Sequence, residues 1–277
     1  MATVRAGRLT LDDIRQAKTP LEARQIIRAG DYVGHTTGVV LGYLQVNLAI
    51  LPESYASDFQ RFCQRNPRPC PLAAVSEVGV PRFPTLGEDL DIRSDVPAYN
   101  VFRDGKLVDT VTDIAELWQD DFVAFALGCS LTFEQALFDN GLRYRMLDAK
   151  KGRRSAVYNT GIECIPAGPF RSKMVCSMRP FQAADAIRAI QITSRFPLGH
   201  GAPVHIGDPG LIGIQDIVAE DIFDGEFEIM DDEIPVFWGC GITPQRAIEN
   251  ARPPIAIAHA PGNMLLTDVP SAQTAVF

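Results

Sequence analysis

Three of the four histidines in this sequence, His200, His205 and His259, fall in two short motifs that could supply proton-transfer chemistry, because imidazole changes charge near neutral pH. The C-terminal third reads as a strand PVFWGC, a Gly-Ile turn, a short helix opened by Thr243-Pro244, and a strand IAIAHA. A strand-helix-strand unit of this length implies a crossover, which predicts two parallel strands in one sheet with Cys240 and His259 at the same edge. Ligands of open α/β sheets bind beyond the carboxyl ends of strands, and the helix would turn free N–H groups from Gly241 to Thr243 toward an anion there. A further strand, PVHIG, runs into Asp208-Pro209, an N-cap followed by an N1 proline. If it is parallel to the others, it adds His205 and Asp208 to the same edge.

Each of these residues also has a plain structural use. Asp before proline is an ordinary helix cap, and Cys240 in an apolar strand suits the core. His259 precedes the turn Pro261-Gly262, where functional groups concentrate. Cys129, ahead of a helix, is either an activated thiolate or tight packing. Arg195 ends a helix, where a cation complements the dipole, and His35 in GHTTG reads as a loop residue. His200 and His205 lack the i, i+4 spacing of two metal ligands on one helix face. Gly239-Cys240-Gly241 opens a dinucleotide fingerprint that position 244 does not complete. Neither a metal nor an organic cofactor is expected.

The elements that must position these groups are partly legible. Thr10 with Asp13 forms a capping box, and Thr19-Pro20 with Glu22 opens a second helix that ends at Gly30. Residues 38–52 read as a buried strand, followed by a helix with Tyr55, Phe59, Phe62 and Cys63 on one face that stops at Asn66-Pro67. Prolines at 67, 69, 71, 81, 84 and 97 predict irregular or edge structure. YNVFRDGKLVDTV is a hairpin turning at Asp104-Gly105. Trp118 to Leu127 and Phe133 to Asn140 read as two helices, the second capped by Thr132 and ended by Gly141. Past the basic run Lys150 to Arg154, short strands (AVYNT, ECIPAG, KMVCSMRPF) and a helix from about Gln182 to Ser194 suggest a smaller α+β domain, 142–205, inserted in a main α/β domain of 1–141 and 206–277.

Composition bounds the function. Hydrophobic residues make up 46% of 277 and charged residues 22%, a globular profile. A net charge of −8 argues against a nucleic-acid partner. The N-terminus lacks a secretory apolar run, no stretch is long enough to span a membrane, and six cysteines without a C-x-x-C pair read as reduced thiols. A cytoplasmic protein with a small-molecule partner is expected, and a homo-oligomer is compatible with this.

The runs GYLQVNLAILP, FCQRNPRPCPL, LGCSLTFEQAL, SMRP, QITSRFPLGHGAPVHIGDP, PVFWGCGITPQ and AHAPGNMLLTD occur in the order seen in the D-glutamate cyclase family, the bacterial hydro-lyases, which the sequence resembles from about Ile26 to Asp268. It departs from the family pattern at His35, where proline is usual, and at Asn263, where histidine is frequent. The resemblance implies a three-layer α/β main domain with a smaller α+β domain. It also implies a lyase that closes D-glutamate to 5-oxo-D-proline and water. Such a reaction needs a base, an acid and oxyanion donors. His259 is the leading base, Asp208 or His205 shares or orients the proton, Gly241 to Thr243 with Cys240 line the oxyanion, and Arg195, Arg65 and Asn66 hold the carboxylates. The alternatives are a metal-assisted hydratase or amidohydrolase using His200, His205, Asp208 and His259, and a non-catalytic binder of acidic amino acids.

Overall fold

The computed structural model describes residues 7–142, 155–223 and 227–277, so the basic run 150–154 lies outside it. The N-terminal helices form as their caps predict. Thr10 and Asp13 close a capping box on α1 (Leu11–Ile14), and Thr19 with Pro20 opens α2 (Pro20–Arg28). Strand β1 (Tyr43–Pro52) leads into α3 (Glu53–Arg65), which buries Phe59, Phe62 and Cys63. After the short strand β2 (Leu72–Val75), β3 (Tyr99–Arg103) and β4 (Lys106–Val111) make the expected hairpin. Asp104 and Gly105 both have positive φ, 51° and 77°, as a type I′ turn requires.

The region before the next helix departs from expectation. Phe122–Gly128 is a strand, β5, with every residue buried. An apolar run buried on both faces carries no periodicity to separate strand from helix, and here β1 and β2 pair with it on either side. The following helix, α4 (Leu131–Asp139), is N-capped at Ser130, so Thr132 lies inside its first turn. Then come β6 (Ala156–Glu163), β7 (Lys173–Gln182), α5 (Ala183–Thr193), β8 (His205–Ile206), β9 (Glu233–Gly239), α6 (Ile242–Ala251), β10 (Ala256–His259) and β11 (Leu265–Pro270).

The chain is of mixed α/β class, with two antiparallel sheets. One is seven-stranded, in the order β2-β5-β1-β10-β3-β4 with β11 also on β1; the other is four-stranded, β6-β7-β9-β8. The expected parallel pair is therefore corrected. β9 pairs antiparallel with β7 and β8, while β10 pairs antiparallel with β1 and β3. The unit from β9 to β10 crosses between sheets instead of returning to one. β8 is likewise antiparallel to β9, and β9 in turn pairs with β7, so this sheet joins strands from before and after residue 205.

Alternation along β1 shows how the layers meet. Ala49 and Leu51, with Phe125 of β5, face a core shared with α3, α6 and the inner face of the four-stranded sheet, including Cys176 and Phe237. Leu44, Val46, Leu48 and Ile50 face the opposite core, covered by Phe83, Leu86, Leu90 and Ile92. Helices α4 and α5 pack Phe133, Leu137 and Ala189 on the outer face of the smaller sheet, against Phe181 and Trp238. Arg24, fully buried, anchors α2 with a bidentate pair to Asp268 at 2.8 and 2.9 Å. No described helix is long and apolar enough to cross a membrane.

Candidate functional site

A cavity of about 440 Å³ lies between the two sheets, within the range usual for small-ligand pockets. It opens at a seam in the larger sheet. On one edge of β1, the partner changes from β11, which ends its register at Val46↔Leu265, to β10, which begins at Ala49↔Ala258. Asn47 and Leu48 face the gap. Asn47 gives its amide hydrogens to the carbonyls of Leu127 and Gly128 at 3.2 and 2.9 Å, and it lines the cavity. At Gly241 a Cβ would run into the Asn47 side chain, so glycine is what lets the α6 turn close on it.

His259 fills the seam. The Leu48 backbone N–H donates to its Nδ1 at 3.1 Å, and Gln245 Nε2 lies 3.4 Å from the same nitrogen. The Leu48 carbonyl is also near, at 3.3 Å, but two donors outweigh one acceptor and assign Nδ1 as the lone-pair nitrogen. The hydrogen then sits on Nε2, and His259 borders the cavity. His200 has the opposite arrangement. Its Nδ1 is 2.7 Å from the Arg68 carbonyl, which can only accept, so Nδ1 carries the hydrogen and Nε2 keeps its lone pair. His200 sits in the left-handed region at φ 73°, on the turn after Pro197-Leu198-Gly199. Both rings are buried, and burial lowers each pKa to about 4, so both are neutral at pH 7. The cavity thus holds one imidazole acceptor and one imidazole donor.

The same cavity is lined by Arg179 of β7, 1% exposed. It donates to Ser130 Oγ at 3.0 Å and to Glu134 Oε1 at 3.3 Å. Its guanidinium carbon stands 5.3 Å from the Phe133 ring centre and 5.7 Å from that of Trp238, a cation–π setting that orients the cation. Two cysteines complete the wall, Cys129 before α4 and Cys240 before α6. Burial raises both thiol pKa values, that of Cys240 to about 12, against the lowering effect of nearby helix amides. Among the described residues, no group of three or more His, Cys, Asp or Glu is placed to hold a metal ion.

A sequence profile of the family described as D-glutamate cyclase matches residues 123–268. A "Putative hydro-lyase" of Verminephrobacter eiseniae is 58% identical over 248 residues, 90% of this chain and 89% of that protein. The chain belongs to the D-glutamate cyclase family. A "Putative hydro-lyase" of Rhizobium johnstonii is 55% identical over 93% of this chain and 95% of its own length, and one of Bordetella petrii is 55% identical over 94% and 98%. A nitrogen repressor-like protein of Methanococcus jannaschii covers 87% of this chain and 92% of its own in crystal form. Its TM-score of 0.38 and 12% identity are too low to transfer anything.

In this family member the cavity gathers some of the residues singled out in the sequence and leaves others outside. His259, Cys240 and Gly241 line it, as do His200 and Cys129. His35 also borders it, at an exposed position on the loop packed against Gly262. Thr243 does not line it; its hydroxyl accepts from Val175 N at 2.9 Å and ties α6 to β7. Helix α6 starts at Ile242 with Gly241 as N-cap, one turn position earlier than Thr243-Pro244 suggests. His205 and Asp208 lie outside the cavity: His205 Nε2 contacts the Asp208 carbonyl at 2.7 Å, and the Asp208 carboxylate caps its own 3-10 turn through Gly210 N. Arg195 stacks on Phe277 at 5.4 Å, Arg65 donates to the Pro166 carbonyl, and Asn66 bonds Phe62 and Ile165. None of the three lines the cavity. Arg179, Glu134, Ser177 and Asn47 were not singled out for function. The one signal for Arg179 is a cation in the middle of the apolar strand KMVCSMRPF, which must be paired if buried.

Proposed function

We propose that this chain is a hydro-lyase that closes D-glutamate to 5-oxo-D-proline with loss of water. The observation that carries the reading is the pair of neutral, buried histidines of opposite tautomer on one cavity, which a buried arginine also lines. Family membership supports the reaction class. In this reading the Arg179 guanidinium takes the α-carboxylate, a charge-assisted contact that its stacking on Phe133 and Trp238 orients. His200 Nε2 accepts a proton from the α-ammonium group, freeing the amine to attack the γ-carboxyl carbon. His259 Nε2–H donates a hydrogen bond to the carboxyl oxygen that leaves, and His200 passes on to that oxygen the protons it takes from the nitrogen. Amides at the starts of α6 and α4 border the tetrahedral oxyanion. The nitrogen gives up two protons and the departing oxygen takes up two, so the proton count closes within the site.

The base is therefore His200 and the donor His259, and His205 and Asp208 take no part. The test is turnover. Purified protein is incubated with D- and L-glutamate and with both oxoproline enantiomers, and the products are separated by chiral chromatography. Formation of 5-oxo-D-proline from D-glutamate is expected. Saturable binding of D-glutamate with no product would instead make the chain a binder of acidic amino acids.

A further inference from the structure

The two turns that bring cysteines to the cavity are copies of one another. Gly128-Cys129-Ser130-Leu131-Thr132 and Gly239-Cys240-Gly241-Ile242-Thr243 share the pattern G-C-x-[L/I]-T, and each joins the end of a buried strand to a helix. Their backbones match: Thr132 N donates to the Cys129 carbonyl and Thr243 N to the Cys240 carbonyl, both at 3.0 Å. Neither helix has a side-chain cap, and the backbone N–H of Leu131 and of Ile242 is directed at the Cys129 and Cys240 sulfur atoms. The two glycines admit the wall that holds His200, because a Cβ at Gly128 would strike the Leu198 carbonyl and one at Gly239 the Arg68 carbonyl. Cys129 follows β5 of the larger sheet and Cys240 follows β9 of the smaller one, so the thiols enter the cavity from different walls.

A packing role does not account for this pair. Of the six cysteines, Cys63, Cys70, Cys164 and Cys176 are buried, while Cys129 and Cys240 are half-buried, their exposure facing the cavity. The same cavity presents the unpartnered Nε2 of His259, a residue 2% exposed, and the Arg179 cation, which mark it as a place for an anionic ligand.

We propose that Cys129 and Cys240 are a two-sided proton-transfer pair acting on the carbon that bears the substrate's carboxylate, so that the site exchanges and inverts the α-hydrogen of an acidic amino acid or its lactam. This rests on the acidic-substrate reading above. One thiol passes its proton to His200 Nε2, and the resulting thiolate removes the α-hydrogen; the electron pair moves into the carboxylate, held as an enediolate by Arg179 and the helix amides. The second thiol returns a proton to the opposite face and recovers one from His200. Two S–H bonds are remade, one C–H bond is broken and one formed, and no oxidant or reductant enters.

The experiment is incubation of the full-length protein with 5-oxo-D-proline and with D-glutamate in deuterated water. Loss of the α-proton signal is followed by NMR and enantiomer composition by chiral chromatography. Wild type is expected to wash deuterium into the α-position of at least one of the two, and Cys129→Ser and Cys240→Ser each to lower that rate by about 10²-fold or more with unchanged thermal midpoints. Should a serine variant not fold, wild type is treated with methyl methanethiosulfonate and the capped thiols are identified by peptide mass mapping. Exchange lost with two thiols capped and restored by dithiothreitol supports the pair. Absence of exchange in wild type, or its persistence in both variants or after capping, overturns it. Cyclisation is scored in the same samples: cyclisation without exchange removes the thiol pair and leaves the dehydration reading, whereas exchange without cyclisation does the reverse.

Discussion

Lowering the pH should unfold this protein through its two cavity histidines, over a window set by their buried positions. Each has a folded pKa near 4, against about 6.5 in an unfolded chain. Between those values the unfolded state binds the additional proton, so stability is fully present above about 6.5 and is lost as the pH falls toward 4. A gap of about 2.5 units at about 1.36 kcal/mol per unit amounts to roughly 3 kcal/mol for each ring, or 6 to 7 for both. That is comparable with the roughly 5–15 kcal/mol total stability of an ordinary domain. Asp95 works the other way, since burial raises its carboxyl pKa and makes its protonated form the better tolerated one as pH falls. Urea unfolding at pH 7.5, 6.5, 5.5 and 4.5 measures the effect, with a slope of up to about 2.7 kcal/mol per pH unit where both rings titrate. His200→Asn keeps the left-handed backbone at φ 73°, which Asn tolerates, and should remove about half the slope; His259→Gln should remove the other half. A flat profile between pH 6.5 and 4.5, or variants with the wild-type slope, would refute the reasoning.

Arg179→Met removes a buried cationic partner of the Glu134 carboxylate and should cost about 3–5 kcal/mol in chemical denaturation. The double change Arg179→Met with Glu134→Leu should recover most of that stability while turnover stays lost, which separates the folding role of the pair from the binding role of the cation. His205→Ala and Arg195→Ala, both outside the cavity, should keep kcat/KM within about twofold; a loss of about 100-fold in either would reopen the sequence-based assignment.

What the sequence discloses about this fold is mostly local. Thr10, Thr19-Pro20 and Asp104-Gly105 act on their own neighbours, and those caps and that turn form where the residues place them. β5 was hidden because its neighbours in the sheet, β1 and β2, come from about 50 to 80 residues earlier, and a core covers each of its faces, erasing the alternation. The crossover from β9 to β10 was misplaced because the handedness rule assumes that both strands belong to one sheet. Their real partners, β7 for one and β1 with β3 for the other, are long-range. Cys240 and His259 still meet at the cavity, since each ends a strand that points into the space between the sheets. Arg179 could not be read as a site residue without knowing that α4 brings Ser130, Phe133 and Glu134 around it.

The central claim is that the cavity holds two neutral imidazoles of opposite tautomer. Two-bond proton–nitrogen NMR spectra of histidine-labelled protein at pH 7 distinguish protonated from lone-pair ring nitrogens, and His200→Asn and His259→Gln identify the signals. The account predicts a hydrogen on Nδ1 for His200, where the Arg68 carbonyl accepts it, and on Nε2 for His259, where Leu48 N–H occupies Nδ1. The same tautomer in both rings, or an imidazolium in either, would contradict it.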